Sequence, residues 1–420
     1  MSIPLLPFQE RIHAAIAQKQ VLVIRGSGSK DFLGHPPATD AQVLDTTALN
    51  GIISHEPSEL VITAYAGTPL KDIEHALAQH GQWLPFDPPH YQGQAGTLGG
   101  MVAAGMAGPS RVAVGGVRDH VLGLAMFNGL GQHLRFGGQV MKNVAGYDVS
   151  RLMAGSMGTL GLITEISMKV LPFPVAEATL MFAMPQQAAL DIVHRWAAQP
   201  LPLNASCWVH DDTATTPQGY LFIRLRGAQA AVQSAQPRML ADVQALGHTG
   251  QAMDTREAAA DWAACAHQTL PFFQPPSPEH ALWRLSLPPT TPALELPGSP
   301  LVEWHGGLRW VWAPMHQATA LRELVHRLGG HATLWRASQA GGAADFEVGH
   351  QSPLSAPLQA ISQRLQAEFD PHGVFRSGRL GHALTPNPSP QGRGESSGHE
   401  GLPPSPSGRG AGVEVAGAKL

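Results

Sequence analysis

The sequence predicts an α+β fold in two successive globular parts followed by a disordered tail, and three observations carry that expectation. Short apolar runs of strand length alternate with amphipathic stretches of helix length up to about residue 380. After Pro172 and Pro174 the order becomes strand, helix, strand, strand, helix, the split βαβ pattern of a ferredoxin-like layer. From Ala383 the composition collapses to Pro, Ser and Gly without an aromatic residue, and Pro388–Gly394 recurs as Pro404–Gly410. Such a segment buries too little apolar area to offset its ordering entropy. The expected divisions are therefore 1–174, 175–382 and 383–420.

Phe8, Ile12 and Ile16 repeat every fourth residue, which predicts a short helix ending near Gln20. Val21–Ile24 reads as a buried strand, followed at once by Arg25-Gly26-Ser27-Gly28-Ser29-Lys30. Asp31 stands where the last glycine of a dinucleotide fingerprint belongs, and Pro36-Pro37 leaves no room for the long helix that motif opens. What remains is a strand-to-loop turn with successive amides, two hydroxyls and two cations, suited to an anion. Leu60–Tyr65 is a strand. The next helix takes Thr68 as its N-cap, Pro69 at N1, a buried stripe of Leu70, Ile73 and Leu77, and Gly81 as its stop.

Two glycine clusters dominate the following stretch. The first is Gly96-Thr97-Leu98-Gly99-Gly100; the second is Gly155-Ser156-Met157-Gly158-Thr159-Leu160-Gly161, running into Leu162–Lys169. Glycine lets a backbone approach a ligand closely and turn its amides toward oxygens. Two such clusters, with the earlier loop, read as the walls of a slot for a flat, phosphate-bearing ligand; the alternative for either cluster alone is close packing or a tight turn. Between them Val121–Phe127, the turn Asn128–Gln132 and His133–Phe136 form a hairpin. Ile163–Leu171 alternates as a strand.

In the second part, Thr179–Ala183, Cys207–His210 and Tyr220–Leu225 are strands, Gln186–Ala198 is a helix, and Ala228–Leu246 is a helix interrupted at Pro237. Leu301–His305, Gly306-Gly307 and Leu308–Ala313 give a hairpin signal. A helix Gln317–Leu328 and a strand Ala332–Arg336 follow. All tryptophans except Trp83 lie in this part, as core or as faces against a ligand or subunit.

Composition narrows the function. A formal net charge of -4 gives no electrostatic footprint for nucleic acid. The two cysteines, Cys207 and Cys265, are too few for an iron–sulfur cluster within the chain and fit a reducing, cytoplasmic setting. The longest uncharged run, Tyr91–Ser110, is too polar to span a bilayer, so any membrane contact is expected to be peripheral, at the inner face of the cytoplasmic membrane. The histidines show no metal-ligand spacing; no residue is singled out as the catalytic base, His210, His305 and His350 being weak candidates, and solvated or core histidine is the better reading for each.

Several segments together resemble a known family: Ile24–Ser29, Ala66–Leu70, Leu84–Pro89, Ala95–Gly100, Val117–Asp119, Lys142–Met153, Gly155–Pro172 and Phe369–Phe375. The pattern is similar to the PCMH-type FAD-binding domain of the vanillyl-alcohol-oxidase group and, within it, to the family of the smaller flavin-binding subunit of bacterial glycolate oxidase. The resemblance implies two subdomains in the first part and FAD held by Arg25, Gly26, Ser27, Gly28, Ser29 and Lys30 at the pyrophosphate. It places Pro88, Gly96, Thr97, Leu98, Gly99 and Gly100 at the cofactor, the last group along its ribityl-pyrophosphate. Arg118 and Asp119 would lie beside the flavin, and Gly158, Gly161 and Ile163 near the adenine half. No histidine occupies the first loop, so the implied FAD is non-covalent. The sequence departs from the wider pattern at Met157, where relatives carry an acid, and at Arg376-Ser377-Gly378 in place of Asn-Pro-Gly.

The activity so implied is oxidation of glycolate, or D-2-hydroxy acids generally, in a complex with a larger paralogous flavin subunit and an iron–sulfur subunit. A flavin-bearing relay or structural subunit without its own oxidation, and a stand-alone FAD-dependent oxidase, are the alternatives.

Overall fold

In the computed structural model, the described residues are 5–91, 96–138, 148–211 and 218–380. The Lys142–Tyr147 portion of the family-like segment and the 383–420 tail lie outside them.

The first part is built on a five-stranded antiparallel sheet in the order Ile52–Glu56, Val61–Tyr65, Leu162–Lys169, Val121–Phe127, His133–Gly137. Strand Leu162–Lys169 is central because its run of branched and sulfur-containing residues is buried along almost its whole length. Helices Leu70–Ala78 and Leu98–Ala104 share one core with this sheet, Leu70, Ile73 and Leu77 meeting Ile62, Ala64 and Ile166. Each such side chain, fully buried, contributes about 1.5–3 kcal/mol of transfer free energy. Thr68 does not cap the helix as expected. Its hydroxyl accepts from the Gly51 amide (2.9 Å) and donates to the Gly51 carbonyl (3.1 Å), which ties a turn to the helix entrance, while Pro69 occupies the N-cap.

Helix Leu6–Gln18 buries Phe8, Ile12 and Ala15 and ends where Lys19 turns left-handed. The parallel pair Leu22–Arg25 and Gln42–Asp45 follows. The far end of the chain returns to this layer: Val374 and Phe375 pack on Phe8, Ile12 and Leu22, and the Leu22 amide donates to the Val374 carbonyl at 2.7 Å. Buried Asp370 accepts from the Val374 and Phe375 amides, each at 2.8 Å, and so fixes the return.

An eight-stranded antiparallel sheet forms the second part. Strands Ala176–Ala183, Leu203–Asp211, Gln218–Gly227 and Thr249–Ala252 lie in spatial order fourth, first, third, second, with helices Gln186–Ala197 and Gln229–Ala245 completing the ferredoxin-like unit. The pattern then repeats. His280–Ser286, Leu301–Glu303, Leu308–Pro314 and His331–Arg336 follow the same order read outward from the junction, where Cys207 faces Glu303 and Trp208 faces Val302. In this second copy helix Ala318–Arg327 is present, and residues 287–300 replace the other helix with irregular chain. Pro237 does not interrupt its helix. A proline removes one intrahelical hydrogen bond, and burial of Val232, Ala235, Met239 and Val243 on either side of it holds the helix together. Every tryptophan from Trp196 to Trp335 is buried.

The two sheets are joined by a buried ionic cluster. Asp87, left-handed at φ 46°, accepts from the Ser110 amide (3.0 Å) and hydroxyl (2.6 Å) and pairs with Arg224 at 2.5 Å. Arg224 also donates to Asn204 and stacks over Trp262, while Arg226 pairs with Glu177 and approaches the second oxygen of Asp87 at 3.5 Å. Burial alone would raise the Asp87 carboxyl; Arg224, Arg226 and the Ser110 hydroxyl outweigh it and hold the group below its ordinary range.

A folded-state pKa below the unfolded one gives stability that is present above about pH 4 and is lost as pH falls through the folded value. Arg224→Met, which strands the Asp87 charge, is expected to cost about 3 kcal/mol at neutral pH in urea denaturation. The same variant should show a smaller acid-dependent loss of stability than the wild type below about pH 4, since the depressed carboxyl is what generates that loss.

Candidate functional site

The first strand delivers its loop into a cleft. Residues 26–30 have amides that, among the described residues, donate to no protein acceptor. Gly28 turns left-handed at φ 77°, and Asp31 closes the turn by donating to the Gly28 carbonyl at 3.0 Å. Gly26 is required for space: a Cβ there would stand 2.5 Å from the Thr97 hydroxyl. The two cations of the loop fare differently. Arg25 is spent on Asp31 (2.6 Å), which also takes Arg379 at 3.0 Å. Lys30 is buried, lies 5.8 Å from the Tyr91 ring centroid, and has no carboxylate partner among the described residues. Burial lowers its pKa to about 8.

The middle glycine cluster plays a different part. Thr97 caps helix Leu98–Ala104 by accepting from Gly100 at 3.2 Å; the Leu98 and Gly99 amides donate to the Thr68 and Ala66 carbonyls. These amides are consumed inside the protein. Gly99 instead allows close approach, since a Cβ there would meet the Ala66 Cβ at 2.7 Å. In the third cluster Met157 (φ 51°) and Gly158 (φ 76°) are left-handed in succession. The Met157 amide donates to Ala103, while those of Gly158 and Gly161 have no protein acceptor among the described residues.

One cleft gathers Arg25, Gly26, Gly28, Ser29, Lys30, Gly99, Gly100, Gly158, Gly161 and Ile163 of the residues predicted from sequence. Ser27 belongs to the same loop without lining the cleft; Gly96 and Thr97 stand behind it against Lys30 and Gly26. Leu98 is core, and Pro88 is buried without lining the cleft. Arg118 and Asp119 are not brought in: they are exposed on the short helix Val117–His120, where Asp119 accepts from the Gly116 amide at 2.8 Å. Sequence reasoning missed Arg379, Thr46, Ala103 and Ala104 as liners. Arg379 directly follows the Arg376-Ser377-Gly378 departure, the signal that pointed to this end of the chain.

Ala104 and Met157 also line a second cavity of about 640 Å³, between the two sheets. Its wall carries Tyr91, Arg284, Glu303, Trp304 and His350. Burial raises the Glu303 carboxyl to about 7, against the hydrogen bonds it accepts from the Trp310 indole (2.8 Å) and the Cys265 thiol (3.4 Å). Burial lowers Arg284 to about 10. Of the three candidate bases, only His350 reaches this cavity; burial lowers its pKa to about 4 and keeps it neutral, against the hydrogen bond between Nδ1 and the Leu334 carbonyl. His305 bonds Ser206 at 2.8 Å in the core, and His210 borders a separate cavity beside Trp262.

The comparisons agree with this architecture. An FAD-binding-domain family model matches residues 8–137. The chain is 45% identical over 375 residues to glycolate oxidase subunit GlcE of Escherichia coli K12, covering 88% of this chain and 95% of that protein. Glycolate oxidase subunit GlcD of Bacillus subtilis is 34% identical over 38% of this chain and 34% of its own length. D-lactate dehydrogenase of Archaeoglobus fulgidus is 31% identical over 43% of this chain and 40% of its own length. An alkyldihydroxyacetonephosphate synthase structure shares the fold at TM-score 0.62 with 14% identity, over 89% of this chain and 75% of that one. Fold and cleft thus define an FAD-binding oxidoreductase. Within that class, the chain belongs to the family of glycolate oxidase subunit GlcE.

The cleft fits the group that this class carries. A diphosphate needs donors and positive charge, and the cleft offers amides from two loops and a buried ammonium that have no protein partner among the described residues. Because Lys30 is charged only below about pH 8, FAD affinity should weaken as pH rises through that value. Lys30→Met should abolish that pH step and loosen FAD by roughly tenfold or more, measured by flavin fluorescence titration between about pH 6 and 10.

Proposed function

We propose that this chain is the FAD-bearing subunit of a glycolate oxidase complex that oxidises glycolate, and D-2-hydroxy acids more generally, to glyoxylate and the corresponding 2-oxo acids. The observation that carries this reading is that two spaces share a wall. A cleft whose loop amides and ammonium lack protein partners among the described residues has Ala104 and Met157 in common with a cavity holding buried Arg284 and Glu303. In this reading the loop from Arg25 to Lys30, with the Gly158 and Gly161 amides, holds the pyrophosphate. Gly99 and Gly100 admit the cofactor by leaving the helix bare of side chains, and Ile163 supports the adenine half. The FAD is bound non-covalently, and when bound it supplies a two-electron acceptor.

The protein's own contribution is orientation and the exclusion of water. Buried aromatic walls make the second cavity a low-dielectric space in which fixed charges act strongly on a small acid. The cytoplasm is the reading's compartment, and among the described residues no helix is long and apolar enough to cross a membrane. Electrons pass to an iron–sulfur subunit, with a larger paralogous flavin subunit as the second partner; the names of the GlcE and GlcD relatives as subunits of glycolate oxidase support an assembly of this kind. Residues 1–174 form the FAD-binding domain and 175–382 the domain that covers the flavin.

Anaerobic addition of glycolate to the purified, FAD-loaded chain should bleach the flavin absorbance, and an iron–sulfur protein should co-purify from the native host. Bound FAD that glycolate leaves unreduced would assign the oxidation to another subunit and leave this chain as a relay.

A further inference from the structure

The wall of the second cavity carries an uncompensated positive charge. Arg111 and Arg284 both stack over the Trp304 ring, with guanidinium carbons 4.5 and 5.1 Å from its centroid. Among the described residues neither forms a salt bridge; Arg284 has only the Ser286 hydroxyl at 3.1 Å. The nearby acid, Glu303, is occupied by the Trp310 indole and the Cys265 thiol. Buried Arg284 and the more exposed Arg111 therefore face a single carboxylate that is already engaged, and a buried guanidinium without an ion-pair partner costs free energy until an anion enters.

A second, independent observation points to the same ligand. Tyr91 is more than nine-tenths buried, lines the cavity, and its hydroxyl has no hydrogen-bond partner among the described residues. A buried hydroxyl left unmet is costly unless a bound group satisfies it. Trp304 is itself set in place at some cost. It and His305 are left-handed at φ 53° and 55°, and its indole donates to the Gly108 carbonyl at 3.0 Å. Strain of this kind persists where the surroundings over-determine a position.

We propose that Arg284, with Arg111 and the Tyr91 hydroxyl, binds the carboxylate of a small 2-hydroxy acid beside Trp304, so that this chain has a substrate site of its own. The proposal rests on the reading that the chain oxidises such acids with bound FAD. A planar carboxylate suits a guanidinium fork and a phenol donor together. The aromatic walls favour a short, compact acid over a heavily hydrated anion such as free phosphate.

Oxamate, an unoxidisable monoanion of the right size, is the probe, titrated calorimetrically into the FAD-loaded chain. The wild type should bind it. Arg284→Met should weaken binding at least tenfold and Tyr91→Phe about threefold or more, at unchanged flavin content and melting temperature. Arg284→Lys, which keeps the charge and loses the fork, should fall between and serves if the methionine variant does not fold. Oxamate affinity unaltered in Tyr91→Phe and both Arg284 variants overturns the proposal, as does a wild type that ignores oxamate. In either case, retained FAD and glycolate-dependent bleaching would leave the functional reading standing. A chain that binds oxamate but is not bleached by glycolate would retain the carboxylate site and overturn the oxidation.

Discussion

The site depends on how closely three stretches of backbone can lie. Gly26 rests on the Thr97 hydroxyl, Gly99 on Ala66, and Gly105 on the backbone of Gly155, where a Cβ would stand 2.9 Å from the amide nitrogen. A side chain at Gly99 or Gly105 would meet main-chain atoms, and one at Gly26 would displace the Thr97 hydroxyl that caps the helix. Helix Leu98–Ala104 is therefore a bare wedge driven between the other two loops, and its own amides are consumed in holding it there. The amides left over belong to the loops it separates, residues 26–30 on one side and Gly158 and Gly161 on the other. Packing and binding are divided between glycines that look alike in the sequence.

Charge is divided in the same way. Of the two cations in the first loop, Arg25 is neutralised by Asp31, which also anchors Arg379 from the far end of the chain; Lys30 has no counter-ion among the described residues. The Asp87–Arg224 pair is satisfied by the Ser110 amide and hydroxyl and by Asn204, and serves to hold the sheets together. Arg284 and Arg111, by contrast, share only an aromatic ring.

Much of the first part was legible because its signals are local. The Leu70, Ile73, Leu77 stripe, the Asn128–Gln132 turn and the alternating strand before Pro172 each settle their own conformation. The second part showed one ferredoxin-like unit and hid its repeat. Strand His280–Ser286 is buried and lacks alternation, and helix Ala356–Phe369 buries no residue, so neither offers a period to read. The site was legible as a set of loops and not as a set of roles. That Gly99 packs while Gly158 leaves its amide free depends on which carbonyl lies opposite, a tertiary fact. Arg118 and Asp119, placed beside the flavin by resemblance, sit exposed on their helix. Arg379 gains its position from Lys30 and Asp31, hundreds of residues away, and Tyr91 from Phe32 and Lys30 of the first loop.

Amide hydrogen exchange with and without FAD tests the central claim most directly, because it reads each backbone donor separately. FAD should slow exchange at residues 26–30 together with Gly158 and Gly161, while the Leu98 and Gly99 amides should already be slow in the free protein. FAD-dependent protection that spares the first loop, or that is confined to the separate cavity beside Trp262, would contradict it.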